Sequence, residues 1–423
     1  LIPGDVINFR GDNMSGVIVV VATLDTKGQE TGFLRREIEG QGYKTVVVDI
    51  GMRGTPEIAA DITREELISA AGHKPEEFAL VDDRAKLMQI MIGGAIKKVN
   101  ELHSAGSMDG IISIGGATGT QMGTSIMKSL PFGVPKFALS STASLRGLAA
   151  RYIGTADITL MHSVAEIIGL NVLMRNAISR AAMAVCGMAE ANIKSPVSVL
   201  RAGEKPLIAL TTFRPTENCA TMVTNQLEEQ GYQVIGFSAA GTGDKAMEEM
   251  IERENVFGAV IDLAPGGVGE ELLKFDRAAG PTRLEAAGKA GIPQVIAPGG
   301  VNWGSPVKSK YKPDYYSRKI YELDALRAFV KLSRDEMVMV ADAMAEKLNK
   351  ARAPVKFLIP LGGWSAVDPR GTDLYEPEID RAFTEELKRR LRPDIEVREI
   401  DADFETPEFA QAVVQAFHDV MGS

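Results

Sequence analysis

Three short segments carry the residues best suited to chemistry. They are Thr23-Leu24-Asp25-Thr26-Lys27-Gly28, Gly115-Gly116-Ala117-Thr118-Gly119-Thr120 and Ser140-Ser141-Thr142-Ala143-Ser144. Each follows a run that reads as a buried β-strand. Small residues leave backbone N–H groups open, hydroxyls add hydrogen bonds, and Lys27 adds an ammonium. Together these are the groups that phosphate oxygens require. No G-x-x-x-x-G-K-[ST] loop is present, so the expectation rests on convergence of the three segments. Asp49 closes another strand-like run, where an acid takes ribose hydroxyls in dinucleotide folds; it equally suits a cap or an ion pair with Arg53. Asp25 suits water-mediated Mg²⁺ or a helix cap.

Such loops need a parallel sheet to bring them to one edge. Val17–Ala22 and Lys44–Asp49 are β-branched blocks of the kind buried on both sheet faces, and the segment between them, about Gln29 to Glu39, reads as a helix ended by Gly40-Gln41-Gly42. The second half repeats this grammar: Pro206–Leu210 ends in Thr211-Thr212, a helix over about 217–230 stops at Gly231, and Gln233–Phe237 follows. Two further pairs match in order, Asp109–Ile114 with Phe257–Asp262 and Gly133–Ala138 with Gly291–Ile296. The pattern predicts a tandem duplication of a doubly wound, Rossmann-like α/β unit, with residues 14–204 nucleotide-binding and 205–423 a second domain. One insertion, Thr55 to Ser107, is expected to distinguish the halves. A small-residue helix from about Ser163 to Met188 should lie in the core or at a subunit interface. Residues 1–13 read as a leader or vector-derived remnant.

Composition restricts the partners. A net charge of −9 without a basic run opposes nucleic acid and anionic lipid, and no apolar stretch reaches the length of a membrane span. Two cysteines in different halves provide no disulfide framework and suit a reducing, cytoplasmic setting. The four histidines show no metal-ligand spacing, and only His162 lies near a strand end. Cys219 sits in the first turn after Arg214-Pro215-Thr216, where a helix N-terminus would lower a thiol pKa; the other reading is a small core residue. Cys186 lies among Ala and Met and reads as core. Gly241-Thr242-Gly243-Asp244-Lys245-Ala246 has the G-x-G-x-x-A form but follows the second strand of its unit, which suits a plain turn.

These segments resemble the Tm-1-like ATP-binding family, which includes the N-terminal inhibitory domain of the tomato mosaic virus resistance protein. The resemblance is carried by Thr23–Lys27, Ile114–Thr120, Ser129–Lys136, Tyr152–Asp157, Gly241–Glu249 and Gly291–Val295, and extends over nearly the whole chain after Met14. It implies paired Rossmann-like domains, ATP in the first, and self-association as a homodimer or higher oligomer. The chain departs from the family after Val260–Leu263, where Ala264-Pro265-Gly266-Gly267-Val268-Gly269 replaces a threonine run and an acid, and at His162. The combined expectation is ATP with Mg²⁺, its triphosphate on the Thr23–Gly28 and Gly115–Thr120 loops, Lys27 neutralising charge and Asp49 on the ribose, with Ser140 and Thr142 nearby. A second small-molecule substrate entering between the halves would make the protein an ATP-dependent kinase or ligase. A nucleotide-responsive interaction module, or a nucleotide-independent enzyme using Cys219, are the alternatives.

Overall fold

The computed structural model describes residues 16–196, 205–325 and 327–422. The expected leader up to residue 13, and residues 203 and 204 of the expected boundary at 203–206, lie outside them. The chain divides into two compact units, Leu1–Val199 and Leu200–Ser423.

Unit 1 runs β1 (Val17–Ala22), α1 (Leu24–Glu39), β2 (Lys44–Asp49), α2 (Arg64–Ala70), α3 (Pro75–Ala79), α4 (Arg84–Ser104), β3 (Gly110–Gly115), α5 (Ala117–Met127), β4 (Lys136–Ser140), α6 (Leu148–Ile153), β5 (Ile158–His162) and α7 (Val172–Lys194). Its five strands are parallel in the order β2-β1-β3-β4-β5. Alternation within each strand separates two cores. Val19, Val21, Val48 and Ile111 face α2, α4 and α5, whereas Ile18, Val20, Val47 and Ile112 face α1 and α7. The sheet is therefore wound on both faces.

Unit 2 runs β6 (Leu207–Thr212), α8 (Glu217–Glu229), β7 (Gln233–Ser238), α9 (Gly243–Glu254), β8 (Phe257–Asp262), α10 (Gly267–Leu273), α11 (Ala286–Ala290), β9 (Gln294–Ile296), β10 (Trp303–Gly304), β11 (Ile320–Glu322), β12 (Ala328–Lys331), α12 (Arg334–Leu348), β13 (Val355–Pro360), α13 (Pro377–Arg390), β14 (Glu396–Ile400) and α14 (Pro407–Met421). The main sheet is parallel in the order β14-β13-β9-β8-β6-β7. Read from its first strand, this is the order of unit 1 with one strand added at the far edge.

Two expectations change. The small-residue helix starts at Val172 rather than Ser163, because Asn171 Oδ1 accepts the Met174 N–H at 3.0 Å and so fixes the N-terminus there. The halves also differ by more than one insertion. Unit 2 carries its own between β9 and β13, with the antiparallel sheet β10-β12-β11.

Unit 2 also buries a guanidinium. Arg283, with no exposure, donates to Asp262 at 2.6 and 2.8 Å, to Asp244 at 3.2 Å and to Glu248 at 3.1 Å. Glu248 in turn accepts the N–H groups of Leu284 at 2.7 Å and Ala286 at 2.8 Å. Every buried charge in this group has a partner, as burial requires.

Candidate functional site

The strand pairings bring the polar loops of unit 1 to one edge. Ala22 lies opposite Asp49 on one side and Ile114 on the other, and Gly115 lies opposite Ser140. Chain direction across the sheet reverses between β1 and β3. There α1 leaves toward one face and α5 toward the other, opening the crevice in which doubly wound sheets hold ligands.

Lys27 stands at this crevice. Its backbone departs from the helix, with φ −132° and ψ 20°, so α1 is kinked in its first turn. Among the described residues, its Nζ pairs with no carboxylate. Thr23 Oγ1 and Thr26 Oγ1 lie 2.9 Å apart beside it. Across the crevice, Gly116 precedes α5 with no side chain capping the helix, which leaves the first-turn N–H groups without intrahelical acceptors. Arg84, at the start of α4, donates to Thr118 Oγ1 at 3.4 Å and makes no ion pair among the described residues. Among the described residues, two cations without ion partners thus lie on segments of this edge, Arg84 touching the uncapped start of α5 and Lys27 on the loop after the adjoining strand.

Other expected ligands serve to hold the loops. Gly28 is buried because a Cβ there would lie 2.5 Å from Glu57 Cβ. Gly115 and Gly119 pack closely, a Cβ on Gly115 falling 3.0 Å from Gly119 Cα. The hydroxyls of Thr120 and Ser140, both fully buried, meet at 2.7 Å, and Ser140 continues to Thr142 at 3.2 Å and Thr142 to Tyr152 at 2.9 Å. This chain ties the loop after β3 to the loop after β4 and removes the Thr120 and Ser140 hydroxyls from the crevice. Ala117 stays exposed and Thr118 partly so.

Asp49 acts as the cap that was its other reading, and its ion partner is not the expected Arg53. Asp49 is 1% exposed; its Oδ1 accepts the N–H of Leu24 at 3.1 Å and of Gly51 at 2.8 Å, and its Oδ2 pairs with Arg64 at 3.2 Å. It therefore caps α1 from a neighbouring strand, and its cation is Arg64, not Arg53. The exposed Arg53 reaches the carbonyls of Ala79 and Val81 at and just after the end of α3. Asp25 lies by the turn after β2: a Cβ on Gly54 would be 3.0 Å from its Cβ. Burial pushes its carboxyl above the ordinary aspartate value, with Arg64 pulling the other way. Beyond β2, a depression of about 450 Å³ is lined by Pro56, Ile58, Thr63 and Arg64 among others. Among the described residues no three His, Cys, Asp or Glu side chains gather into a metal-binding group.

Arg64 and Arg84 were not legible as site residues. Each opens a helix inside the insertion, and the available signals, the Thr63-x-x-Glu66 capping box and Asp83 as N-cap, mark the helix starts but not the contacts. Cys219 is fully buried in the core of α8 and α14. Burial, then the nearby Glu405 carboxylate, push its thiol far above the ordinary cysteine value, which removes it as a ready nucleophile. Burial likewise pushes Cys186 up to about 11. His162 Nε2 contacts the Ser141 carbonyl at 3.2 Å and Ser144 Oγ at 3.3 Å, a loop contact. No helix among the described residues is long and apolar enough to cross a membrane.

Comparison with known proteins follows the same division. Residues 16–194 match the N-terminal domain, and residues 205–421 the C-terminal domain, of uncharacterised protein family UPF0261. A UPF0261 protein of Clostridium tetani is 34% identical over 96% of this chain and 100% of its own length. The ToMV resistance protein Tm-1(GCR237) of Solanum lycopersicum is 32% identical over 74% of this chain and 42% of its own length. Among solved structures, the UDP-GlcNAc 2-epimerase of Neisseria meningitidis bound to UDP-GlcNAc aligns at a TM-score of 0.24 and 10% identity, over 66% of this chain and 82% of that one.

Proposed function

The chain belongs to the UPF0261 family, and from the geometry of its first unit we propose that it is an ATP-binding protein whose triphosphate lies in the crevice between β1 and β3. The observation that carries this reading is that the loop of Lys27, which makes no ion pair among the described residues, and the uncapped start of α5 beside Arg84 follow the adjoining ends of β1 and β3. A triphosphate needs several cationic groups and open N–H donors at once, and an ion or carboxylate of smaller charge would leave them unsatisfied. The ribose and base extend toward the depression beyond β2, where Pro56 and Ile58 offer apolar surface. Asp25 is a carboxylate of the crevice suited to Mg²⁺ that arrives with the nucleotide; phosphate and water oxygens would supply the remaining ligands. With a second small-molecule substrate, such a site performs phosphoryl or adenylyl transfer of the kinase or ligase type.

Calorimetric titration of the full chain with ATP and with inorganic tripolyphosphate, with and without Mg²⁺, tests the reading. Binding of ATP that Lys27→Ala weakens by about ten- to 150-fold, the equivalent of roughly 1.5–3 kcal/mol for one charge-assisted contact, is the expected result. Absence of ATP binding, or full affinity in Lys27→Ala, overturns it.

A second reading, a nucleotide-responsive interaction module, draws on one observation. Val164, Ile168, Val172 and Leu173 are 65–83% exposed around the start of α7. Glu30 of α1 accepts the Gly169 N–H from this segment at 2.6 Å, so the helix that begins at the crevice is tied to the apolar strip. A second copy of the chain is the partner this reading favours. ATP turnover against a metabolite panel separates the enzyme from the module, and sedimentation with and without ATP tests self-association.

A further inference from the structure

Unit 2 contains a cavity of about 730 Å³ at the carboxyl ends of β6 and β7, closed on the other side by β11 and β12. Its wall is built around rings and guanidiniums. The Arg277 guanidinium carbon lies 5.2 Å from the ring centroid of Phe213 and 4.6 Å from that of Phe329, and Tyr321 stacks on Phe329 at 6.4 Å with 17° between planes. A glycine admits the Phe213 ring: Gly300 has φ +65°, and a Cβ there would lie 2.3 Å from Phe213 Cζ.

The position of Arg277 is fixed from below. The buried Glu270 accepts its Nη2–H at 2.7 Å, its backbone N–H at 3.1 Å and the Ser305 hydroxyl at 2.5 Å. The Gly241–Ala246 loop, the segment of dinucleotide form, holds the same stretch of chain. Gly241 has φ +91°, and a Cβ there would lie 3.0 Å from the Arg277 carbonyl carbon. The glycines of that loop therefore serve close packing, Gly241 against the backbone of Arg277 and Gly243 against that of Ser238.

Donor capacity remains after these contacts. Arg277 Nη1 has no acceptor among the described residues, and Arg214, exposed at the mouth, has no partner among them. Glu322 is paired with Lys308 at 2.5 Å and Arg327 with Asp324 at 2.7 Å. Asp276 is the one acid of the lining without an ion pair among the described residues.

We propose that this cavity is a ligand site independent of the crevice in unit 1, and that its ligand is a small molecule joining a planar ring to a carboxylate or phosphate. The ring packs against Phe213, Phe329 and Tyr321, and the anion takes the free donors of Arg214 and Arg277. The volume lies within the range of small-molecule sites. Trp303, packed in one cluster with Phe329 and Val367, reports occupancy by fluorescence.

The test uses the full chain, tryptophan fluorescence and calorimetry, with benzoate and phenyl phosphate as probes and inorganic phosphate and benzyl alcohol as controls. The better ring-bearing anion is expected to bind at least about tenfold more tightly than either control, and its identity distinguishes carboxylate from phosphate. Arg214→Gln is expected to weaken it about tenfold or more, since an exposed arginine with no partner is lost without disturbing the fold, and Asp276→Asn to tighten it. Lys27→Ala leaves it unchanged, which keeps this site separate from the ATP reading. Probe affinities no better than the controls, full affinity in Arg214→Gln, or loss of binding in Lys27→Ala would each overturn the proposal.

Discussion

Asp49 Oδ1, at the end of β2, accepts the first helical N–H of α1, that of Leu24, at 3.1 Å. One carboxylate therefore sets the start of the helix that carries Lys27, while its second oxygen pairs with Arg64. Removing it leaves Arg64, whose side chain is 12% exposed, without its ion partner. Asp49→Ala is expected to cost about 3–5 kcal/mol in urea denaturation, the usual penalty for breaking a buried pair. Because Asp49 acts through the loop rather than on a ribose, Asp49→Asn should weaken ATP and tripolyphosphate by the same factor. A selective loss for ATP would return Asp49 to ribose contact.

Two glycines of the α5 region should respond in opposite ways. At Gly116 the backbone is extended, with φ −81°, and a Cβ would meet only Ser141 Oγ at 3.7 Å, so Gly116→Val should fold within about 1 kcal/mol of the parent yet cover the helix start and weaken ATP binding. At Gly123 a Cβ would lie 2.5 Å from Ser113 Cβ, and Gly123→Ala should cost about 1–3 kcal/mol of stability. Thermal unfolding and ATP titration of the two variants separate site from scaffold.

The raised thiol of Cys219 makes it inert at neutral pH. Iodoacetamide should modify neither Cys219 nor Cys186 appreciably in the native protein, and Cys219→Ser should cost roughly 1–3 kcal/mol by placing a hydroxyl in apolar surroundings. A raised thiol pKa favours the folded state only while the unfolded thiol stays protonated. This contribution is therefore complete below about pH 8.5, the ordinary cysteine value, and is lost as pH rises beyond it. Fast alkylation of Cys219 in the folded protein, measured by peptide mass, would contradict its burial.

Asp380 gives unit 2 a titration at mild acidity. Burial raises its carboxyl to about 6, with Lys331 pulling it down and Asp368 pushing it up, and the Asn302 amide donates to it at 2.8 Å. A folded pKa above the unfolded value means that the stabilising contribution is whole below about pH 4 and disappears as pH rises through 6. Two units correspond to roughly 3 kcal/mol. Stability measured in urea from pH 4 to 7 should therefore fall less steeply for Asp380→Asn than for the parent, and parallel curves would show that Asp380 does not titrate in this range.

The sequence made the frame plain and the site only in part. β-branched runs such as Val17–Ala22 and Lys44–Asp49 end where the strands end, because a strand buried on both faces leaves no polar position until it emerges. The three polar loops follow from those ends, and they do meet at one sheet edge. What stayed hidden was direction. Whether Thr120 and Ser140 face a ligand or each other depends on the approach of β3 to β4, and the partner of Asp49 lies fifteen residues on, beyond a turn that no local pattern specifies. Arg53 is the nearer partner on paper; the backbone bridge of Ile62 beside Val48, with the Asp49 N–H donating to the Ile62 carbonyl, brings Arg64 into place. The antiparallel sheet of unit 2 was missed because its strands are two to four residues long, too short for alternation to register.

Arg283 has a consequence for how unit 2 comes apart. Its guanidinium is satisfied only when Asp244 and Glu248 of α9, Asp262 of β8 and the turn through Ala286 are all in place. If α9 docks without that turn, two acids enter the interior with no cation; if the turn docks without α9, two of the arginine's three carboxylate partners are missing. Each half-formed arrangement strands charge at several kcal/mol, more than the apolar contacts of one short helix return. Partial disassembly is thereby penalised from both directions, so these segments open together, and their amide protons should exchange through a single shared opening rather than segment by segment.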